Sequence, residues 1–224
     1  MPPTTAPDAA AEGSEAVVDL LGVLAYGELS AFDRLADDAR LAPGLAGRAE
    51  MSAMAAVEFG HYRLLADRIA GYGVAPEQAM APFVAALEAY HSLTTPSTWL
   101  EAVVKAYVGD GMAGDFFREV ATLVDNSTGA LIREVLTEAG RAEFAVREVQ
   151  AAVAESPAVA GRLALWARRL VGEAISQTQH VLADRESLML LLVEGTGGLT
   201  GVPALITRIT DRHAERMVEL GLDS

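Results

Sequence analysis

The feature that most constrains the fold is a series of long apolar blocks at helical spacing, separated by connections of unequal length. Proline or glycine stands at most of the breaks, as in Pro43-Gly44 and in the stretch GYG at residues 71–73. Apolar residues that recur every three or four positions predict amphipathic helices, and such breaks mark their ends. The sequence therefore predicts helices over 15–42, 46–70, 98–124, 130–154, 155–192 and 203–221.

The lengths of the connections favour one arrangement of these helices. The first and second helices are joined by a short loop, and so are the third and fourth, whereas residues 71–97 between the pairs contain three prolines and room for a short helix. Two helical hairpins with a long crossover are typical of a ferritin-like four-helix bundle. We therefore expect an all-α single domain, with a disordered tail at 1–14, the four-helix bundle at 15–155 and additional C-terminal helices packed on it at 156–224.

Charge and composition exclude several classes of function. The formal net charge is −14 and the chain has no cysteine, so strong nucleic-acid binding, disulfides and thiolate metal sites are not expected. The only candidate phosphate-facing cluster is Arg162, Arg168 and Arg169, in the C-terminal third where the charge is nearly balanced. The N-terminus lacks the basic region and apolar core of a signal peptide, which predicts a cytoplasmic protein with no membrane partner.

Each of the four bundle helices carries one acidic residue near the middle of its apolar stripe. A buried carboxylate costs several kcal/mol unless it has a partner, and four of them would repel one another, so the stripes predict a cation in the bundle core. Glutamate and histidine three residues apart on the second helix lie on the same face, and carboxylate with imidazole suits iron or manganese. The candidate ligands are Glu28, Glu58, His61, Asp110 and Glu138.

Two other interpretations of these residues are open. In the first, the acids lie at the edges of their stripes and reach solvent, with His61 as an ordinary core histidine. In the second, the pair Glu88 and His91, which has the same spacing, is the ligand pair; it ranks lower because it lies in the proline-interrupted crossover.

Four segments resemble the ferritin-like superfamily and, more narrowly, the 2-methylthio-isopentenyladenosine tRNA hydroxylase (MiaE-like) group. They are AYGELSAF, AAVEFGHYRLLA, AYVGDGMAGDFF and LTEAGRAEFAV, in this order within about residues 15–190. In such proteins two helices each give one acidic ligand and the other two each give a Glu-x-x-His pair. The resemblance therefore implies a di-iron centre held by Glu28, Glu58 with His61, Asp110 and Glu138, and an O2-dependent hydroxylase.

The sequence departs from this pattern at two positions. Asp110 stands where glutamate is usual, and Arg141 stands where the fourth helix should supply histidine. A guanidinium has no lone pair for a metal, so Arg141 either turns inward as a fixed internal cation or points to solvent.

Two functional hypotheses follow from these residues. The first is a di-iron hydroxylase acting on a small organic molecule or a modified tRNA base, impaired if Arg141 takes the place of a histidine ligand. The second is a non-enzymatic ferritin-like protein that binds one metal ion or none and serves assembly or protein interaction. Under either hypothesis we expect a homodimer through the fifth helix, where three apolar residues form a stripe that the bundle core does not obviously need: Leu163, Trp166 and Leu170.

Overall fold

The computed structural model of the chain describes residues 9–136, 141–198 and 200–222, and it gives side chains from residue 15 onward, except at 141 and 142. Those residues form helices and contain no strand, so the all-α prediction is confirmed. None of the described helices is both long enough and apolar enough to cross a membrane. The helices are α1 (Ala9–Asp38), α2 (Leu45–Gly71), α3 (Pro76–Met80), α4 (Val84–Leu93), α5 (Trp99–Val120), α6 (Asn126–Val135), α7 (Arg141–Glu155), α8 (Ala158–Asp184), α9 (Glu186–Gly195) and α10 (Gly201–Glu219).

Helices α1 and α2 form the first antiparallel pair, joined by a 3-10 turn at Ala39–Leu41 and a short loop. Helix α1 begins at Ala9, six residues before the predicted start, because the alanine-rich segment that precedes Glu15 has high helix propensity. The predicted tail at 1–14 therefore overlaps this helix, and residues 1–8 lie outside the described part of the chain.

The third bundle helix begins where the sequence predicts it, at a capping motif. The Thr98 hydroxyl accepts a hydrogen bond from the backbone N–H of Glu101, and the Glu101 carboxylate accepts one from the backbone N–H of Ser97. These two bonds satisfy N–H groups that a helix N-terminus leaves without partners, which fixes the start of α5.

The prediction of one continuous fourth helix over 130–154 is wrong. Helix α6 starts earlier, at Asn126, because the Asp125 carboxylate caps the backbone N–H groups of Ser127 and Thr128. It ends at Val135, and α7 begins at Arg141 after four residues that the structure does not describe.

The predicted fifth helix over 155–192 is also divided, into α8 and α9, with the break at Arg185. There the Arg185 guanidinium binds the carboxylate of Asp19 on α1, and the Ser187 hydroxyl donates to the same carboxylate. This contact between distant parts of the chain is absent from the local sequence pattern, so the pattern could not predict the break.

The bundle interior consists of two hydrophobic clusters with a polar layer between them. One cluster contains Leu35, Met51 and Val103, and the other contains Leu24, Leu65 and Phe117. Along α1, α2 and α5, the predicted ligands fall between the residues of one cluster and the residues of the other. The helices therefore hold these polar side chains at a common height, with an apolar layer on each side.

The stripe on α8 that was expected to form a dimer interface is buried inside the chain. Leu163 and Leu170 have relative exposures of 3% and 0%, and the Trp166 indole N–H donates to the backbone carbonyl of Glu101 on α5. The expectation that the bundle core does not need this stripe is therefore wrong, because Leu163 and Leu170 belong to the core. The homodimer, through the fifth helix or another surface, stays a prediction.

Candidate metal centre

Three of the five predicted ligands lie together in the polar layer. Glu28 lies on α1, and Glu58 and His61 lie one turn apart on the same face of α2. One ligand atom from each of them lies within 4.8 Å of the other two. The His61 Nδ1 atom is 3.3 Å from Glu28 Oε2 and 3.5 Å from Glu58 Oε2, so all three groups converge on one point.

These three side chains are shielded from solvent. The side-chain exposure is 11% for Glu28, 4% for Glu58 and 12% for His61. The interpretation in which Glu28 and Glu58 reach solvent is therefore wrong. The antiparallel packing of α1 on α2 carries both carboxylates inward because each lies on the same helical face as its neighbouring core residues.

Burial and mutual proximity shift the protonation of the site. Burial and a hydrogen bond to Glu58 raise the pKa of Glu28 well above its usual range, although His61 opposes this. Burial alone would lower the pKa of His61, but hydrogen bonds to Glu28 and Glu58 outweigh it and raise that pKa to about 9. Without a metal ion, the site therefore binds protons at neutral pH to offset its buried negative charge.

A cleft of about 70 Å³ reaches this centre between α1, α2, α5 and α6. Asp110 lines this cleft together with Glu28 and His61, but its carboxylate does not belong to the group of ligand atoms that lie within 4.8 Å of one another, and as a whole residue it is exposed. The part of the α5 wall nearest Asp110 consists of small residues: the missing side chain of Gly111 makes room for Arg216, and Gly114 has only ordinary contacts with Arg118 and Leu136. A larger pocket of about 190 Å³ at the junction of α5, α9 and α10 shares none of the cleft's described residues.

Two predicted site residues remain without a structural position. Glu138 lies outside the described residues, and only the backbone of Arg141 is described, as the first residue of α7. In the sequence, Glu138 therefore falls between α6, which lines the cleft, and α7, which Arg141 begins.

The alternative pair, Glu88 and His91, has other partners. The Glu88 carboxylate accepts hydrogen bonds from Tyr26 and Arg34, both on α1. The His91 Nε2 atom is 3.2 Å from the Ser30 hydroxyl. Burial and the nearby positive charges lower the pKa of His91 to about 3. The contacts with α1 show that this pair holds the crossover against α1. Among the described residues, the pair does not form a cluster with a third metal-ligating residue.

Sequence reasoning missed Arg118, which lines the cleft from α5. Arg118 lies four residues after Gly114 and next to Phe117, so it borders the core-facing stripe of α5, and this position is the signal that could have identified it. By contrast, the arginine cluster predicted to face phosphate is exposed on α8 and contributes nothing to the described lining of the cleft: Arg162, Arg168 and Arg169.

Comparison with known families agrees with this architecture. A family model described as a ferritin-like domain of actinomycetes matches residues 11–195, which is 185 of the 224 residues. The chain belongs to this ferritin-like domain family. None of the curated proteins matches the chain. The matched segment contains Glu28, Glu58 and His61 together with the helices that hold them. Helix α10 lies after the end of the matched segment.

Proposed function

We propose that this ferritin-like domain binds a divalent metal through Glu28, Glu58 and His61, and that it uses the metal to oxidise a small organic molecule with dioxygen. The observation that carries the proposal is the convergence of two carboxylates and an imidazole within 4.8 Å of one another, buried and reached by a cleft. Buried acids are costly without a counter-charge, so a site built this way favours a cation.

The donor set suits iron first and manganese second. Two carboxylates and one imidazole are ligands that both ions accept, and three protein ligands leave positions open for other molecules. Asp110, on the cleft wall, and Glu138, in the following segment, are the residues available to hold a second ion. Ferrous iron held by these residues would supply part of the electrons that reduce dioxygen, and the substrate, as it is oxidised, would supply the rest.

The chain's own residues supply the setting for this chemistry. The two hydrophobic clusters exclude water from above and below the polar layer, and the α1–α2 packing fixes the directions of the ligands. His61 and Glu28 hold the protons that a binding metal displaces, so loading of the site is coupled to proton release.

The size of the cleft favours a small substrate over a hypermodified tRNA base. A volume of about 70 Å³ corresponds to roughly two water molecules, which is far less than a modified purine needs. In addition, the exposed arginines Arg168 and Arg169 lie on α8, and neither lines the cleft. Weak tRNA binding that is lost on removing both arginines would agree with this, and tight binding that survives their removal would favour the tRNA hydroxylase.

Arg141 favours a second candidate, a non-enzymatic ferritin-like protein that binds one metal ion or none. It occupies the position where a second Glu-x-x-His pair would place histidine, and a guanidinium cannot ligate a metal. Arg141→Gln, which also lacks an imidazole but removes the charge, is the matched control for Arg141→His.

The deciding experiment measures iron per chain and oxygen consumption of the ferrous protein in the wild type and in both variants. The oxidase proposal expects iron and substrate-free oxygen consumption in the wild type, and Arg141→His should raise iron towards two ions per chain. Iron without oxygen consumption in any form would favour the second candidate. No iron in any form would overturn the metal site altogether.

A further inference from the structure

Arg118, whose guanidinium lines the cleft, also belongs to a cluster of arginines between α5 and α10. We infer that the cleft takes a small organic acid, whose carboxylate or phosphate group binds Arg118 while its aliphatic end points towards the metal centre. This inference names the substrate class of the site proposed above and rests on that proposal.

Arg118 is held in place at the cleft while its guanidinium stays accessible. Its Nη1 atom is 2.7 Å from Asp115 Oδ1, one turn earlier on the same helix, and its side chain is 54% exposed. A side chain at Gly114 would meet the Arg118 guanidinium at 3.7 Å, so the arginine lies along α5 beside this glycine. A fixed guanidinium is a better anion receptor than a mobile one, because less side-chain entropy is lost on binding.

The partner carboxylate of Arg118 is shared with two other arginines. Asp115 is 1% exposed, its Oδ2 atom is 2.6 Å from Arg216 Nη2, and its Oδ1 atom is 3.7 Å from Arg212 Nη1. One negative charge therefore faces three positive charges. Asp115 orients Arg118 but does not neutralise it.

The next acidic residue on α5 does not supply the missing charge. Glu119 binds Arg208 at 2.7 Å and Arg212 at 3.1 Å, so it is already used by two guanidinium groups. Within the described residues, Arg212 Nη1 and Arg216 Nε are buried without a hydrogen-bond acceptor. Within the described residues, four guanidinium groups of this cluster therefore share the two carboxylates of Asp115 and Glu119, and Arg118 is the most exposed of the four.

The rest of the cleft sets the size and polarity of the ligand. Three apolar residues line the cleft beside Arg118: Phe117, Val135 and Leu136. Their surface suits a short aliphatic chain. Asp110 lies about 12 Å from Arg118 along the helix axis, so it stands at the other end of the cleft and does not cancel the charge that an acid would meet. The volume of about 70 Å³, at about 30 Å³ per water-sized group, admits roughly two or three non-hydrogen atoms beyond an acid group held at Arg118.

The test uses the full-length, metal-free protein and two probes, sodium butyrate and ethyl phosphate, with butyramide as the neutral match for butyrate. Calorimetric titration should detect binding of at least one acid, and butyramide should bind at least about tenfold more weakly. Arg118→Gln should reduce acid binding to the butyramide level, and Arg118→Lys should retain part of it. Arg162→Gln, which removes an exposed arginine outside the cleft, should change nothing.

Gly114→Ala provides a second variant that should fold. Its new methyl group would meet Arg118 and Leu136 at 3.7 and 3.8 Å, which are ordinary contact distances, while it narrows the cleft. It should weaken butyrate binding more than acetate binding. Equal affinity for butyrate and butyramide, or acid binding that Arg118→Gln leaves intact, would overturn the inference.

Iron content is measured in parallel, so that the two proposals can fail separately. Arg118-dependent acid binding in a chain that takes up no iron would support the acid site and overturn the metal proposal. Iron uptake without binding of either acid would overturn the acid site alone.

Discussion

Glu28→Gln is the substitution that tests the metal centre most directly. Glutamine has nearly the shape of glutamate, and burial already favours the neutral, protonated form of Glu28, so the variant should fold. It nevertheless replaces a carboxylate with an amide that is a much poorer ligand. Loss of one of three anchoring groups should weaken metal binding by about 100-fold or more, since even residues behind the ligands typically contribute 10- to 100-fold.

The effect can be expressed as a change in thermal stability. At a free metal concentration of about 100 times the dissociation constant, binding stabilises the wild-type fold by about 2.7 kcal/mol. For a chain of this size that corresponds to an increase in Tm of about 5–11 °C. If the dissociation constant rises about 100-fold, the same metal concentration stabilises Glu28→Gln by only about 0.4 kcal/mol, or about 1–2 °C.

The assay is thermal unfolding with EDTA and with Fe²⁺ under anaerobic conditions, repeated with Mn²⁺. Glu88→Gln is the matched control, because Glu88 stands in the other Glu-x-x-His pair but binds Tyr26 and Arg34. It should lose stability by about 1 kcal/mol without changing the metal-induced shift in Tm. A full shift in Glu28→Gln, or a lost shift in Glu88→Gln, would refute the assignment of the centre.

Three further predictions concern pH and packing. Because His61, with a pKa of about 9, must lose its proton to bind metal, and Glu28 also releases one where it is protonated, metal affinity should rise at least about tenfold per pH unit from pH 6.5 to 8.5, with proton release in calorimetry; a flat profile would exclude His61 as a ligand. The pKa of His91 is about 3 in the folded chain against the ordinary 6.5, so the unfolded chain binds the extra proton below pH 6.5 and stability is lost as the pH falls from there towards 3. His91 adds at most about 1.4 kcal/mol per pH unit to the slope of the unfolding free energy, measured in urea, against pH. His91→Gln should therefore make this slope flatter, and an unchanged slope would refute the low pKa of His91. The methyl group of Gly22→Ala would overlap the carbonyl oxygen of Ala79, so this variant should lose about 1–3 kcal/mol of unfolding free energy, measured in urea. Gly60→Ala has open space around it and should gain about 0.5–1 kcal/mol. The reverse order would contradict the α1–α3 packing.

Much of the fold could be predicted because its helices carry strong local signals. The periodicity of the apolar residues gave α1, α2 and α5 to within a few residues at most ends, and the Thr98 cap fixed one start. The errors came where distant residues decide the backbone. The break at Arg185 depends on Asp19, more than 160 residues away, and no pattern near the break reports it.

The candidate centre could be predicted in part for the same reason. Glu28, Glu58 and His61 lie on the core-facing stripes of two helices that pack along most of their length, so helical spacing alone brought them together. Asp110 also lies on such a stripe, but its residue is exposed on the wall of a cleft. Spacing gives the face of a helix and not the distance to the next helix, which depends on the small residues of α5.

What the sequence determined by itself is therefore the set of helices, the order of short and long connections, and the height at which acids interrupt the apolar stripes. Tertiary structure alone decided which acids converge, that a cleft reaches them, and that Arg118 faces this cleft while other arginines share its carboxylate partner. The physical reason is that helical periodicity is a local property of the backbone, whereas convergence and charge balance depend on how closely separate helices approach.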